Sequence, residues 1–388
     1  MVQPGRRPER GRPATPRMGK ELDARVPPGE RQPDAVAPPR LPEDLHDRIG
    51  QMVLVGFRGL TPREAEPTLR QIRAGSIGGV VIYDIDAQTG GPRNVESPPQ
   101  LRELVASIKA AGAIPPLVTV DAEGGFFHRL KTWHGFAPAA PAMDIGERND
   151  PALTRSSASA IAEMLADVGI DMNLAPVVDL LNTASLSDSR TRRSFSSDPA
   201  VVTANAREFI LAHRAYGLLT TIKHFAGTHG ALRPYSPGRG ELIENWSATE
   251  LEPYRALISE GLADAVLASR VTYPQLDPDY PACLSKKIVD GLLRSELGFD
   301  GVVISDQLEL QAIWDAYGFG AGTVLAVNAG VDLLLMGNVS RLVPYSDNRA
   351  EDAIRVVEGA VARGEIEESR IDQACRRILA LKSRRLGS

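Results

Sequence analysis

The residues best able to do chemistry in this 388-residue chain stand in one kind of place, at or just after the ends of short apolar runs. The clearest case is Gly301-Val302-Val303-Ile304-Ser305-Asp306, a β-branched run that ends in a lone carboxylate. Asp121, Glu123 and Arg129 follow a second run, Asn173 and Asp179 belong to a third, and Lys223-His224 and Ser269-Arg270 end two more. Carboxylates beside cationic donors suit a polyhydroxylated ligand, because hydroxyls pair well with charged hydrogen-bonding groups. A carboxylate aimed into such a site can attack an anomeric carbon. That is half of a retaining glycoside-cleaving mechanism, and the other half is a proton donor for the leaving oxygen. Each residue also has a plainer use. Asp306 is a good helix N-cap type, Asp179 and Arg193 can pair in a loop, Glu123 can accept from backbone amides, and Lys223-His224 can be an ion-paired strand end.

These side chains meet only if the elements before them are parallel strands ending on one face. Apolar runs at residues 52–57, 78–82, 116–120, 171–175, 218–223, 263–268, 301–305 and 331–336 are continuous rather than alternating, as in strands covered on both sides. Helix-length amphipathic stretches lie among them at 99–111, 151–168, 199–216, 285–296 and 350–363, with Pro151 and Pro199 where a first-turn proline belongs. Eight such units predict a closed (β/α)₈ TIM-type barrel. A doubly wound open sheet is the alternative, but Gly56-Phe57-Arg58-Gly59 after the first run lacks the dinucleotide fingerprint. In a barrel the C-terminal strand ends form the catalytic face.

Composition sets the surroundings. Residues 1–40 are crowded with Pro, Arg and Gly and nearly empty of large apolar side chains, which predicts a disordered tail ahead of a barrel over 41–388. A net charge of -5 gives no sign of nucleic-acid affinity. There is neither a secretory apolar region near the start nor a later apolar run of about twenty residues. The expectation is a soluble, cytoplasmic protein with no nucleic-acid or membrane partner. Cys283 and Cys375 are isolated and read as buried small hydrophobes. The six histidines are dispersed, and His224 and His229 share a Gly-containing loop with no obvious carboxylate partner, so no metal and no cofactor are expected.

From Arg48-Ile49-Gly50-Gln51-Met52 to Arg370-Ile371-Asp372-Gln373-Ala374 the chain resembles the family 3 glycoside hydrolases, specifically their single-domain bacterial β-N-acetylglucosaminidase type. The resemblance rests on Val120-Asp121-Ala122-Glu123-Gly124-Gly125, Asn173-Leu174-Ala175-Pro176-Val177-Val178-Asp179, Arg193-Ser194-Phe195-Ser196-Ser197-Asp198-Pro199, Lys223-His224-Phe225 and the stretch from Leu276 to Asp306. It implies a glycosidase acting on β-linked N-acetylglucosaminides or related amino sugars, with a small carbohydrate or glycoside as substrate. It implies Asp306 as the nucleophile that forms a covalent glycosyl-enzyme. It also implies that Asp121, Arg129, Arg193, Lys223 and His224 hold the sugar.

The family pattern breaks after Lys223-His224. Family members carry Pro-Gly-His-Gly and then a loop with Asp-Ser-His, whose histidine is the acid/base. Here the order is Phe225-Ala226-Gly227-Thr228-His229-Gly230, and Tyr235 and Pro237 fall where that aspartate and histidine belong. Phe126-Phe127-His128 and Arg270 also depart from the family, which commonly has histidine at the latter position. One expectation is a substitute acid/base: His229 first, with His128, Glu241 and Glu244 as further candidates. A second is a transglycosidase or phosphorylase using activated donors, and a third is a sugar-binding protein without turnover.

Overall fold

Eight short parallel strands form the central sheet of the computed structural model, which describes residues 40–182, 191–228, 233–236 and 240–386. Residues 1–39 of the expected tail lie outside the described residues. The sheet strands are β1 (Val53–Gly56), β2 (Gly79–Ile82), β3 (Leu117–Val120), β4 (Met172–Asn173), β5 (Leu219–Phe225), β8 (Ala265–Ala268), β9 (Val302–Ser305) and β10 (Leu334–Met336). They lie side by side in chain order, except that β10 sits against β1 with Val53 opposite Leu334. A parallel bridge from Ile304 to Leu333 then closes the ring, and the fold is the expected (β/α)₈ barrel.

The strand sequences explain why the sheet closes. Every residue of β1, β2, β3, β8, β9 and β10 is buried, as continuous Val/Ile/Leu runs require when helices cover the outside and side chains fill the inside. The helices begin where their caps direct. Ser97 and Gln100 make a reciprocal capping box at the start of Pro98–Ala111. Asp150 and Asp198 accept from the first free amides of Pro151–Asp167 and Pro199–Ala215, with proline in the first turn of each. The expected helix at 285–296 is a π-helix over Lys287–Glu296.

Two elements differ from expectation for local reasons. β4 is two residues long, and side chains next to its backbone bonds brace it against β3 and the residues after it. Asp171 accepts from the Val118 amide at 3.0 Å, and Asn173 both accepts from and donates to the Ala122 backbone at 3.0 Å. Beyond β5 the chain makes an unanticipated antiparallel hairpin, β6 (Arg233–Ser236) and β7 (Gly240–Leu242). Backbone bonds from Thr272 to Glu241 and from Ile243 to Thr272, each 3.0 Å, fasten β7 to the segment after β8.

At the N-terminal end of the barrel, Asp332 is fully buried. It accepts from the Val303 amide and binds Arg294 at 2.6 Å and Arg370 at 2.8 Å, tying the helix Glu368–Leu386 to β9 and β10. That end is built for stability. The C-terminal ends carry the chemistry.

Candidate active site

Asp306 directly follows β9 and is buried. Its Oδ1 accepts from the Gln307 amide at 2.7 Å, while Oδ2 accepts from the Arg270 amide at 3.2 Å and from Arg270 Nη1 at 3.0 Å. Burial acts to raise its pKa, but the adjacent Arg270 guanidinium and the two amides outweigh it and hold the carboxyl below its usual range. The side chain is thus an oriented, ionised carboxylate. It does not cap the next helix, Gln311–Ala329, whose N-cap position is Leu310. A turn of four residues separates the two, so the helix-cap reading of Asp306 fails.

Lys223 and His224 adjoin on one strand and would normally face opposite sides. β5 shifts register between Lys223 and Phe225, leaving His224 as an extra residue opposite β8. Such a bulge re-aims a side chain beside a site, and here both residues reach the barrel mouth. Lys223 Nζ lies 2.8 Å from Asp121 Oδ1 and 2.7 Å from Glu123 Oε1. Arg193 grips Glu123 with two bonds of 2.8 and 2.7 Å, and its guanidinium stacks 4.0 Å from the centre of the Phe127 ring. Burial opposes ionisation of both acids, yet Lys223 and Arg129 hold Asp121, and Arg193 and Lys223 hold Glu123, below the usual carboxylate range.

The pairings correct two simpler readings. Arg193 pairs with Glu123, not with Asp179, and Glu123 binds two cations rather than backbone amides. Asp179 instead orients His224, accepting from its backbone amide at 2.9 Å and from Nδ1 at 2.8 Å. Arg193 Nη2, which can only donate, lies 3.3 Å from the other ring nitrogen, so Nε2 is the acceptor and Nδ1 carries the proton. Arg129 closes the network, 3.3 Å from Asp84 and 3.7 Å from Asp121.

The structure therefore gathers Asp121, Arg129, Arg193, Lys223 and His224 into one polar network, with Asp306 on the same C-terminal face. His229 lies outside the described residues. His128 is buried beneath the loop, where burial pushes its pKa down to about 4, and Glu244 is exposed in the turn after β7. Sequence reasoning missed Asp84, although it directly follows Ile82-Tyr83 at the end of β2 and was open to the same strand-end rule. It also did not foresee that Arg270 bridges Asp306 and Glu241, each at 3.0 Å. Among the described residues no group of three or more His, Cys, Asp and Glu side chains is placed to hold a metal ion.

Across the two networks, Asp84, Asp121, Glu123, Asp179, Glu241 and Asp306 face Arg129, Arg193, Lys223 and Arg270. Negative charge is in excess. Such a mouth can bind hydroxyls through charged donors and acceptors, and it favours positive charge developing on a bound ring.

Comparison with known proteins agrees with this geometry. Residues 44–381 match the model of the glycosyl hydrolase family 3 N-terminal domain. An uncharacterized secreted glycosyl hydrolase of Arthroderma benhamiae is 30% identical over 356 residues, 90% of this chain and 96% of that protein. A beta-hexosaminidase of Xanthomonas euvesicatoria is 34% identical over 299 residues, covering 74% of this chain and 83% of the relative. Among solved structures, a family 3 β-N-acetylglucosaminidase from Paenibacillus superposes with a TM-score of 0.78 at 33% identity, over 88% of this chain and 63% of that one.

Proposed function

The chain belongs to glycosyl hydrolase family 3, and we propose that it cleaves β-linked N-acetylglucosaminides with retention, through a covalent glycosyl–Asp306 intermediate. It is a glycoside hydrolase of the β-N-acetylhexosaminidase type. The observation that carries the mechanism is Asp306 itself, a buried carboxylate kept ionised and fixed by three hydrogen bonds at the tip of β9.

In the first step an Asp306 oxygen bonds to the anomeric carbon. The bond from that carbon to the leaving oxygen breaks, and the leaving oxygen keeps the electron pair and takes a proton. In the second step water attacks the same carbon, gives up a proton, and releases Asp306 as a carboxylate. Asp121, Arg129, Arg193, Lys223 and His224 hold the sugar hydroxyls. Because these groups are already paired with one another, they are pre-positioned, and binding costs little further ordering. The proton donor belongs to the stretch between β5 and β8 that contains His229 and Glu241, in place of the family's usual dyad.

The catalytic unit is the barrel of residues 41–388, with 1–40 as an appended tail, and its place of action is the cytoplasm. No helix among the described residues is long and apolar enough to cross a membrane. The test is turnover of para-nitrophenyl and methylumbelliferyl N-acetyl-β-glucosaminides with the stereochemistry of the first-formed sugar followed by NMR. Initial release of the β-anomer supports the proposal, whereas the α-anomer or no turnover rejects it. Sugar binding without turnover would leave a binding protein.

A further inference from the structure

We propose that Glu241 is the catalytic acid/base, the group that protonates the leaving oxygen and then deprotonates the attacking water. This rests on the retaining reading of Asp306. The other carboxylates of the mouth are committed elsewhere: Asp121 and Glu123 to Lys223, Glu123 also to Arg193, Asp179 to His224, and Asp84 to Arg129. Glu241 binds Arg270 alone among those cations, and Arg270 is shared with Asp306. Arg270 Nη2 lies 3.0 Å from each Glu241 carboxylate oxygen, donating to Oε1, and Oε2 is buried.

Position and charge both fit the two-step task. One guanidinium holds Glu241 and Asp306 at 3.0 Å each, which keeps the two carboxyls several ångströms apart, on the scale of the ~5–5.5 Å used by retaining pairs. The backbone of Glu241 is pinned by the Thr272 amide at 3.0 Å, next to the β8 strand end that carries Arg270. Before attack, the single positive charge of Arg270 faces two neighbouring carboxyls, Asp306 and Glu241. Once Asp306 becomes a neutral ester, the charge of Arg270 faces Glu241 alone. The same pair of bonds thereby links Glu241, as acid and then base, to the state of Asp306.

The steps balance. As the Asp306 oxygen bonds to the anomeric carbon, the leaving oxygen takes the Glu241 proton. Glu241 then recovers a proton from water, whose oxygen displaces Asp306.

Glu241→Ala and Glu241→Gln are to be assayed on methyl and para-nitrophenyl N-acetyl-β-glucosaminides, with and without azide. Turnover of the methyl glycoside should fall about 10²- to 10⁴-fold, while the nitrophenyl substrate keeps a rapid first release of phenol followed by slow turnover. Azide should accelerate that slow phase in Glu241→Ala and give the β-glycosyl azide. Equal losses on both substrates with no azide effect overturn the proposal, as does an azide response confined to His229→Ala. If Glu241→Ala does not fold, the split between the two substrates in Glu241→Gln decides. Labelling of wild-type Asp306 by a mechanism-based fluoro-sugar separates the two levels. With labelling present, only the Glu241 assignment fails; with labelling absent, the retaining reading fails first.

Discussion

Replacing Arg270 by methionine tests whether one guanidinium organises the reacting end of the site. The variant keeps the bulk of the aliphatic stem but removes the only cation among the described residues that is bonded to both Asp306 and Glu241, at 3.0 Å each. Two charge-assisted hydrogen bonds at ~1.5–3 kcal/mol each set the gross loss. Asp306 retains the Gln307 amide at 2.7 Å and the Arg270 amide at 3.2 Å, so it stays oriented. Breaking a buried pair from one side leaves an uncompensated charge, and a net destabilisation of about 3–5 kcal/mol at pH 7 follows. The pH dependence has a definite sign. In the wild type the Asp306 pKa is depressed, so its contribution is complete above the ordinary carboxylate range and is lost as pH falls through the depressed value. In the variant that guanidinium no longer opposes burial, Asp306 takes up a proton more readily, and acid relieves the defect. Urea unfolding at pH 7 and at pH 4 measures both quantities. A penalty below about 1 kcal/mol at pH 7, or one equal at the two pH values, refutes the reasoning.

Three further outcomes follow from particular contacts. Asp179→Asn removes one of two carboxylate oxygens that hold the His224 amide and Nδ1. Loss of that charge-assisted bond, ~1.5–3 kcal/mol, should lower kcat/KM about 10- to 150-fold with little change in urea midpoint. Phe127→Ala removes the ring 4.0 Å from the Arg193 guanidinium; a cation–π loss of ~0.5–2 kcal/mol should appear in KM, read from steady-state kinetics. Asp332→Ala leaves Arg294 and Arg370 unpaired at the opposite end of the barrel. It should cost about 3–5 kcal/mol of stability, while kcat per folded molecule, normalised by active-site titration, stays unchanged.

What was readable in the chain follows from what acts locally. The barrel strands announce themselves because burial on both faces demands unbroken apolar runs, and Pro151 and Pro199 mark helix starts through their own backbone chemistry. Their strand-end residues could be placed on one face before any geometry was known. Partner choice could not, because it depends on loops of different lengths meeting in space. Glu123 takes Arg193 from a loop 70 residues later, and His224 turns to Asp179 only because β5 bulges. Asp306 looked equally suited to a helix cap, and the four-residue turn after it decides otherwise. The hairpin of β6 and β7 carries no hydrophobic pattern of its own; its second strand is fastened through backbone bonds to Thr272, an anchorage no local signal reveals.

The central claim is that Asp306 forms the bond to the sugar. Incubation with a mechanism-based fluoro-sugar, proteolysis and mass spectrometry of the peptide spanning Gly301 to Leu310 tests it directly. The account predicts a single sugar adduct on Asp306 that is absent from Asp306→Asn, a variant that should fold normally and turn over no substrate. Labelling at a different carboxylate, or activity surviving in Asp306→Asn, would contradict it.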